Sequence, residues 1–125
     1  MTLSKEVQEI LYNAEAKALA TFSNKDINVV PVSSAKIVDD KIWLIDYFFD
    51  KTRTNIKQNP NVSFTFWIGL RGYQTKAKVN YLTKGTAFDT AVDWIATIHP
   101  NRIVKGLLIL NITAIYDISI HNKQI

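Results

Sequence analysis

The chain has 125 residues, which is the size of one domain, and we treat residues 1–125 as a single unit. Its composition, 47% hydrophobic and 21% charged with no cysteine, excludes intrinsic disorder, disulfides, iron–sulfur clusters and thiol catalysis. A net charge of +4 indicates a mild attraction to anions. The sequence has neither a signal-peptide pattern nor an apolar segment of membrane-spanning length, so we expect a cytoplasmic protein.

The first predicted element is a helix for which Ser4 is a typical N-cap. The apolar residues that follow recur at helical spacing: Val7, Ile10, Leu11, Ala14 and Ala18. β-branched and apolar runs then predict strands over 19–22, 27–38 and 41–46. Pro31 lacks a backbone N–H, which marks the second of these strands as an edge strand or a bulged one.

An aromatic loop at 47–50 leads into a two-turn helix that we expect to be capped near Thr52 and ended by Pro60. Apolar residues alternate with polar ones over 61–68, which predicts a half-buried strand. A glycine-containing turn follows, and a further strand is predicted over 73–82.

Thr86 and Asp89 have the spacing of a capping box, which predicts a third helix. The residues expected to share one face of this helix are Phe88, Val92 and Ile95. A long apolar strand over 105–120 completes the chain. Six strands with few short helices and hairpin connections predict a mainly β domain, a six-stranded antiparallel barrel.

Few residues are arranged for known chemistry. Four glycines cannot build a Rossmann or P-loop fingerprint, and His99 and His121 lack the spacing of metal ligands, so we predict no metal site. Lys51 and Thr52 stand at the start of a predicted helix, where unpaired N–H groups and a partial positive charge suit a phosphate. From spacing alone, a capped surface helix with solvated basic residues remains the favoured interpretation.

The order of three segments, 28–36, 41–46 and 50–62, resembles the pyridoxamine 5'-phosphate oxidase-like FMN-binding split-barrel family. The most specific part is Lys51-Thr52 followed by Asn59-Pro60-Asn61-Val62, while 72–79 is similar to the next strand of that family. The resemblance extends over about 19–120, and it implies a six-stranded split barrel of Greek-key type that binds FMN.

The resemblance also implies which residues contact the cofactor. In this family the flavin phosphate is held by the lysine–threonine segment, here Lys51 and Thr52, with Asn55 in support. The other implied contacts lie on two strand ends and on a partner chain: Val32, Ser33, Ser34, Leu44, Ile45, Asp46, Tyr47 and the partner's Gln74. These strand ends can offer an apolar slot to the ring and polar groups to its edge.

By the same resemblance the protein is a homodimer with the FMN site at the subunit interface. The candidates for the interface are the strand segment 107–115 together with Trp67 and Trp94, although both indoles are equally consistent with plain core positions. Trp94 of the partner is also a candidate for completing the site.

The implied function is that of a small FMN oxidoreductase or electron-transfer protein, with a nicotinamide cofactor or a redox protein as electron donor. Pyridoxamine 5'-phosphate oxidation itself is not expected, because only Arg102 follows Arg71 where the oxidases carry an arginine-rich region. One alternative is a non-catalytic module that binds heme or a deazaflavin. Another is a weak nucleic-acid binder that uses Lys76 and Lys78.

Overall fold

The computed structural model describes residues 1–24 and 26–120. In this part of the chain there are three helices, α1 (Lys5–Asn13), α2 (Lys51–Gln58) and α3 (Thr86–Ile98). The strands are β1 (Ala16–Phe22), β2 (Ile27–Pro31), β3 (Ala35–Val38), β4 (Lys41–Asp46), β5 (Asn61–Ile68), β6 (Arg71–Leu82) and β7 (Gly106–Asp117). None of the helices in the described residues is long and apolar enough to cross a membrane.

The strands form one antiparallel sheet in the order β2-β1-β5-β6-β7-β4-β3. β2 and β3 lie at opposite edges of this order, yet only residues 32–34 separate them in the chain. Four residue steps span at most about 14 Å. The two edges must therefore approach each other, and the sheet curves into a barrel that is split between β2 and β3. The predicted antiparallel barrel is confirmed.

The strand count is seven rather than the predicted six, because the expected strand over 27–38 is two strands. The Val32 N–H still donates to the Lys17 carbonyl oxygen at 2.9 Å, so the chain follows β1 up to this point. Three residues later, Ala35 is paired with Leu44 in β4. The segment is divided because its first half pairs with β1 and its second half with β4. Its β-branched composition does not reveal this change of partner.

The barrel interior is apolar and is closed at one end by α1. Its fully buried residues are Leu19, Ile42, Leu44, Phe64, Phe66, Leu108 and Leu110. The Ser4 hydroxyl accepts a hydrogen bond from the Val7 N–H at 3.2 Å, which confirms the predicted N-cap. The helix ends earlier than expected, because the Glu15 N–H donates to the Trp67 carbonyl oxygen at 2.9 Å and thereby joins the chain to β5. Ala18 consequently lies in β1.

α3 packs on the outside of the barrel in a second apolar cluster that comprises Trp43, Ile45, Ala91, Ile95 and Leu107. The predicted capping box is wrong: Gly85, at φ 102°, is the N-cap, and no side chain caps the helix. Thr86 is already the first helical residue. Phe88 and Ile95 pack in this cluster as predicted, whereas Val92 remains 36% exposed and Ala91 is buried instead.

Candidate cofactor-binding site

A cavity of about 490 Å³ lies along β2 where the barrel is split. Twelve residues line it: Asn28, Val30, Pro31, Val32, Ser33, Ile45, Tyr47, Phe48, Phe49, Asp50, Lys51 and Thr52. The volume falls within the range of roughly 300–1,000 Å³ that is typical of small-molecule sites. Apolar and aromatic side chains dominate the walls, and the polar groups stand near the two ends.

β2 gives the cavity its length, because Asn28 and Val30 project from the same face of this strand and Val32 continues the alternation just beyond its end. At one end, Asn28 Nδ2 donates to Thr52 Oγ1 at 2.8 Å. Ser33 lies five residues further on, which at about 3.3 Å per residue is up to roughly 16 Å away. We call the region of Asn28, Lys51 and Thr52 the helix end, and the region of Ser33 and Tyr47 the loop end.

At the helix end, the first turn of α2 is open. Asp50 is the N-cap residue, but its side chain makes no capping hydrogen bond. The first N–H with a partner inside the helix is that of Thr54, which donates to the Asp50 carbonyl oxygen at 3.1 Å. The N–H groups of the first turn therefore have no partner within the helix. The prediction that α2 is capped near Thr52 is wrong, because this fully buried residue lies inside the helix and bonds to Asn28.

A buried carboxylate holds the loop that forms one wall. Asp46 is fully buried; its Oδ1 accepts from the Phe49 N–H at 2.6 Å and its Oδ2 from the Tyr81 hydroxyl at 2.5 Å. Arg53 Nε lies 3.5 Å from Asp46 Oδ2, and Arg53 Nη2 donates to the Phe49 carbonyl oxygen. Burial, and then the bond to Asp46, raise the pKa of Tyr81. A Cβ at Gly106, opposite Asp46 in β7, would collide with the Tyr81 ring.

At the loop end, three distant segments meet. The hydroxyl groups of Tyr47 and Ser34 are hydrogen-bonded at 2.8 Å. The Arg102 guanidinium lies over the Tyr47 ring, 5.1 Å from its centroid. Arg102 Nη1 also donates to Ser33 Oγ at 3.3 Å. Tyr47 is thus held both through its ring face and through its hydroxyl.

The structure brings six of the predicted site residues together around this cavity: Val32, Ser33, Ile45, Tyr47, Lys51 and Thr52. Ser34 is buried behind them, against Tyr47. Leu44 does not line the cavity, because neighbouring strand residues face opposite sides and Leu44 points into the barrel interior. Asp46 also lies outside the lining, since its oxygens are engaged by Phe49 and Tyr81.

The last two predicted residues are placed elsewhere. Asn55 is buried and its Nδ2 donates to Thr21 Oγ1 at 3.2 Å and to the Asp26 carbonyl oxygen at 3.4 Å, so it supports the turn beside α2. Gln74 alternates with the buried residues Tyr73 and Thr75, which places it on the outer face of β6. It does not line the cavity of its own chain.

Sequence reasoning missed Asn28, Phe48, Phe49 and Arg102. Asn28 lies two residues before Val30 and therefore on the same strand face. This spacing was a usable signal, because a polar residue on the same face as lining residues is a candidate contact. Arg102 carried no such signal, since 69 residues separate it from Ser33.

Comparisons with known proteins agree with this description. The family model for pyridoxamine 5'-phosphate oxidase matches residues 3–118. An uncharacterized protein of Methanocaldococcus jannaschii is 29% identical over 121 residues, which cover 93% of this chain and 80% of that protein.

Three solved structures share the fold. HupZ of Group A Streptococcus is 22% identical, with a TM-score of 0.85 and coverage of 94% of this chain and 95% of that one. An FMN-binding protein of Syntrophomonas wolfei subsp. wolfei is 21% identical, with a TM-score of 0.79 and coverage of 94% and 86%. HutZ, a heme storage protein of Vibrio cholerae, is 12% identical, with a TM-score of 0.72 and coverage of 93% and 94%.

Proposed function

Because the chain belongs to the pyridoxamine 5'-phosphate oxidase family, we propose that its cavity binds FMN and that the protein is a small FMN oxidoreductase or electron carrier. The division of the cavity into an apolar slot and a helix end, where Lys51 and the open first turn of α2 offer donors beside the exposed Asp50 side chain, carries this proposal. FMN has the same division, because a planar, largely apolar ring is joined by a ribityl chain to a phosphate.

The helix end suits the phosphate. Lys51 supplies a positive charge, and the open first turn of α2 supplies N–H donors and the positive end of the helix dipole. Thr52 Oγ1 accepts from Asn28, which leaves the Thr52 hydroxyl hydrogen as a further donor. Three kinds of donor therefore converge where an anionic group would be held.

The middle of the cavity suits the ring. Val32, Ile45 and Phe49 are buried apolar residues that contribute to its walls. FMN, when bound, supplies hydride and electron transfer, and the protein then has to bind it, orient it and exclude water. Asp46 serves the orientation by fixing the loop that carries Phe49.

The electron donor in this proposal is a nicotinamide cofactor or a redox protein. Pyridoxamine 5'-phosphate oxidation is not part of it, because Arg102 is the single arginine beyond Arg71.

Heme is the second candidate, since the heme storage protein HutZ shares the fold. Among the described residues that line the cavity, none is histidine, cysteine or methionine, which are common axial ligands of heme iron. Tyr47 is a lining residue of a type that ligates heme in some proteins, but its hydroxyl is bonded to Ser34. The donor set therefore favours a flavin. A deazaflavin has a similar ring, and identification of the ligand released from the purified protein distinguishes the two.

A homodimer with the FMN site at its interface remains part of the proposal. Phe48 in the cavity wall is 81% exposed and Ile103, next to Arg102, is 77% exposed, so large apolar side chains near the cavity are free for contact with a partner. Gln74 would contribute to a site only from a partner chain.

The indoles and the last strand do not support the expected interface equally. Trp67 is 37% exposed and available for contact, whereas Trp94 is half-buried with Lys36 Nζ 5.5 Å from its ring centroid. In the segment 107–115, the apolar residues Leu107, Leu108 and Leu110 are fully buried within the single chain. That part of β7 is therefore core rather than interface.

Nucleic-acid binding stays a prediction from the sequence. Lys76 and Lys78 are exposed on the outer face of β6, and neither lines the cavity.

Titration of the apo-protein with FMN and with riboflavin, followed by flavin fluorescence, tests the proposed function. We expect Lys51→Ala to weaken FMN binding by about ten- to a hundredfold, the cost of one charge-assisted contact, and to leave riboflavin nearly unchanged. Lys57→Ala is the matched control, because Lys57 is an exposed lysine in the last turn of the same helix. Ile45→Ala should weaken both ligands alike.

Two results would contradict this assignment. If the wild-type protein binds no flavin, the proposed function is wrong. If Lys51→Ala weakens FMN and riboflavin equally, the phosphate lies elsewhere.

A further inference from the structure

Arg102 brings a positive charge to the loop end of the cavity, remote from Lys51. It belongs to the connection between α3 and β7, where the Arg102 N–H donates to the His99 carbonyl oxygen at 3.0 Å. This turn directs the chain toward the barrel split, and the guanidinium contacts both Ser33 and Tyr47. Both of these residues line the cavity. The guanidinium charge is therefore separated from the cavity interior by a single layer of side chains.

Arg102 is exposed, and two contacts restrain its side chain. The hydrogen bond to Ser33 and the position over the Tyr47 ring restrain it from two directions. Tyr47 is itself restrained by Ser34. A cation over an aromatic ring is attracted by the negative face of the ring, and this attraction adds to the hydrogen bond. The charge is therefore restrained beside the loop end of the cavity.

We propose that Arg102 is a specificity-determining residue that makes the cavity hold reduced, anionic FMN more tightly than oxidised, neutral FMN. This inference rests on the proposed function. Transfer of two electrons and one proton to the flavin leaves one negative charge on its ring, in addition to the phosphate charge. A fixed cation near the ring favours the anionic form, in the same way that a neighbouring cation favours a carboxylate over its acid. Lys51 is near the phosphate, whose charge does not change on reduction.

The expected size follows from the effect of neighbouring charges. An opposite charge within about 4–6 Å shifts the preference for a charged form by roughly one to three powers of ten. Because Arg102 is exposed, solvent and salt weaken its field, and we expect the lower limit, about tenfold. For a two-electron couple, a tenfold change in relative affinity equals about 30 mV in midpoint potential.

The experiment compares wild type, Arg102→Met, Arg102→Lys and the distant control Lys5→Met. Lys5 begins α1 and is exposed, and it does not line the cavity. Dissociation constants are measured for oxidised FMN and, anaerobically, for FMN reduced with dithionite. The midpoint potential of bound FMN is measured independently against a reference dye.

We expect Arg102→Met to raise the ratio of the reduced to the oxidised dissociation constant about tenfold and to lower the potential by about 30 mV. Arg102→Lys should retain most of the wild-type ratio, and Lys5→Met should retain all of it. Since the readout is a ratio for one protein, a general loss of affinity through displacement of Tyr47 cancels.

The possible failures are distinguishable. If wild type binds FMN but the ratio is the same in Arg102→Met, this inference is wrong while the proposed function stands. If wild type binds no FMN in either state, both are wrong. A ratio that changes equally in Lys5→Met would assign the effect to overall charge, and would overturn the role of Arg102.

Discussion

Replacement of Asp46 by alanine removes a fully buried carboxylate toward which three groups are directed: the Phe49 N–H, the Tyr81 hydroxyl and the Arg53 guanidinium. The Arg53 side chain is 38% exposed and can regain water, so the loss comes mainly from the Phe49 N–H and the Tyr81 hydroxyl, each of which loses a hydrogen bond to a charged group worth about 1.5–3 kcal/mol. With an m-value of about 2 kcal/mol/M in urea, a loss of about 4 kcal/mol lowers the unfolding midpoint by about 2 M.

Two milder variants separate the contributions. Asp46→Asn keeps the shape and one acceptor for the Phe49 N–H but removes the charge that faces Arg53, so we expect a loss of about 2 kcal/mol. Tyr81→Phe removes a single hydrogen bond to a charged group, worth about 1.5–3 kcal/mol. Because Asp46 and Tyr81 share one contact, the loss in the double variant should be smaller than the sum of the single losses.

The assay is urea unfolding followed by circular dichroism and tryptophan fluorescence, with coincident transitions as evidence for two-state behaviour. A loss below about 1 kcal/mol for Asp46→Ala, at an unchanged m-value, would refute the reasoning. It would mean that the carboxylate is not the group that joins the loop, α2 and β6 in solution.

The raised pKa of Tyr81, due chiefly to burial and then to the bond with Asp46, predicts that stability declines above about pH 10, the value of an unperturbed tyrosine. The native state then keeps a proton that the unfolded chain loses, so the contribution is fully present below about pH 10 and is lost as the pH rises toward the native pKa. In urea unfolding across this range, wild type should lose stability relative to Tyr81→Phe, and parallel profiles would contradict this. Light scattering of the FMN-loaded protein should give the mass of two chains, and Phe48→Asp should shift it toward one chain, because a carboxylate is costly at an apolar contact. A single-chain mass for the loaded wild type would count against the shared site.

The sequence was sufficient where structure depends on local pattern. Alternation of Val62, Phe64 and Phe66 predicts β5 because one face of a single strand must be apolar. The division between β2 and β3 was missed, since it depends on which strand each half pairs with. The start of α3 was misplaced because Thr86 has capping-box spacing while Gly85 adopts the positive φ at the helix start.

In the candidate site, too, the residues set by local sequence could be predicted and those set by tertiary packing could not. The family resemblance, which is confirmed by the match of the family model to residues 3–118, pointed to Lys51 and Thr52. These two residues are adjacent in the chain and lie together at the helix end. Leu44 and Ile45 were both expected at the cofactor, yet strand neighbours face opposite sides and only Ile45 reaches the cavity. Arg102 could not be found, because its contact with Ser33 exists only after α3 has packed on the barrel.

The cavity wall beside residues 32–34 is made where the sheet has no ladder between its two edges, since in the described strands β2 pairs with β1 and β3 with β4. Side chains there can change without the loss of a strand-to-strand hydrogen bond. The hydrogen-bonded ladders and the cavity wall are therefore different parts of the same barrel. Substitutions of side chains at the split therefore alter the cavity wall and leave the hydrogen-bond ladders of the sheet intact.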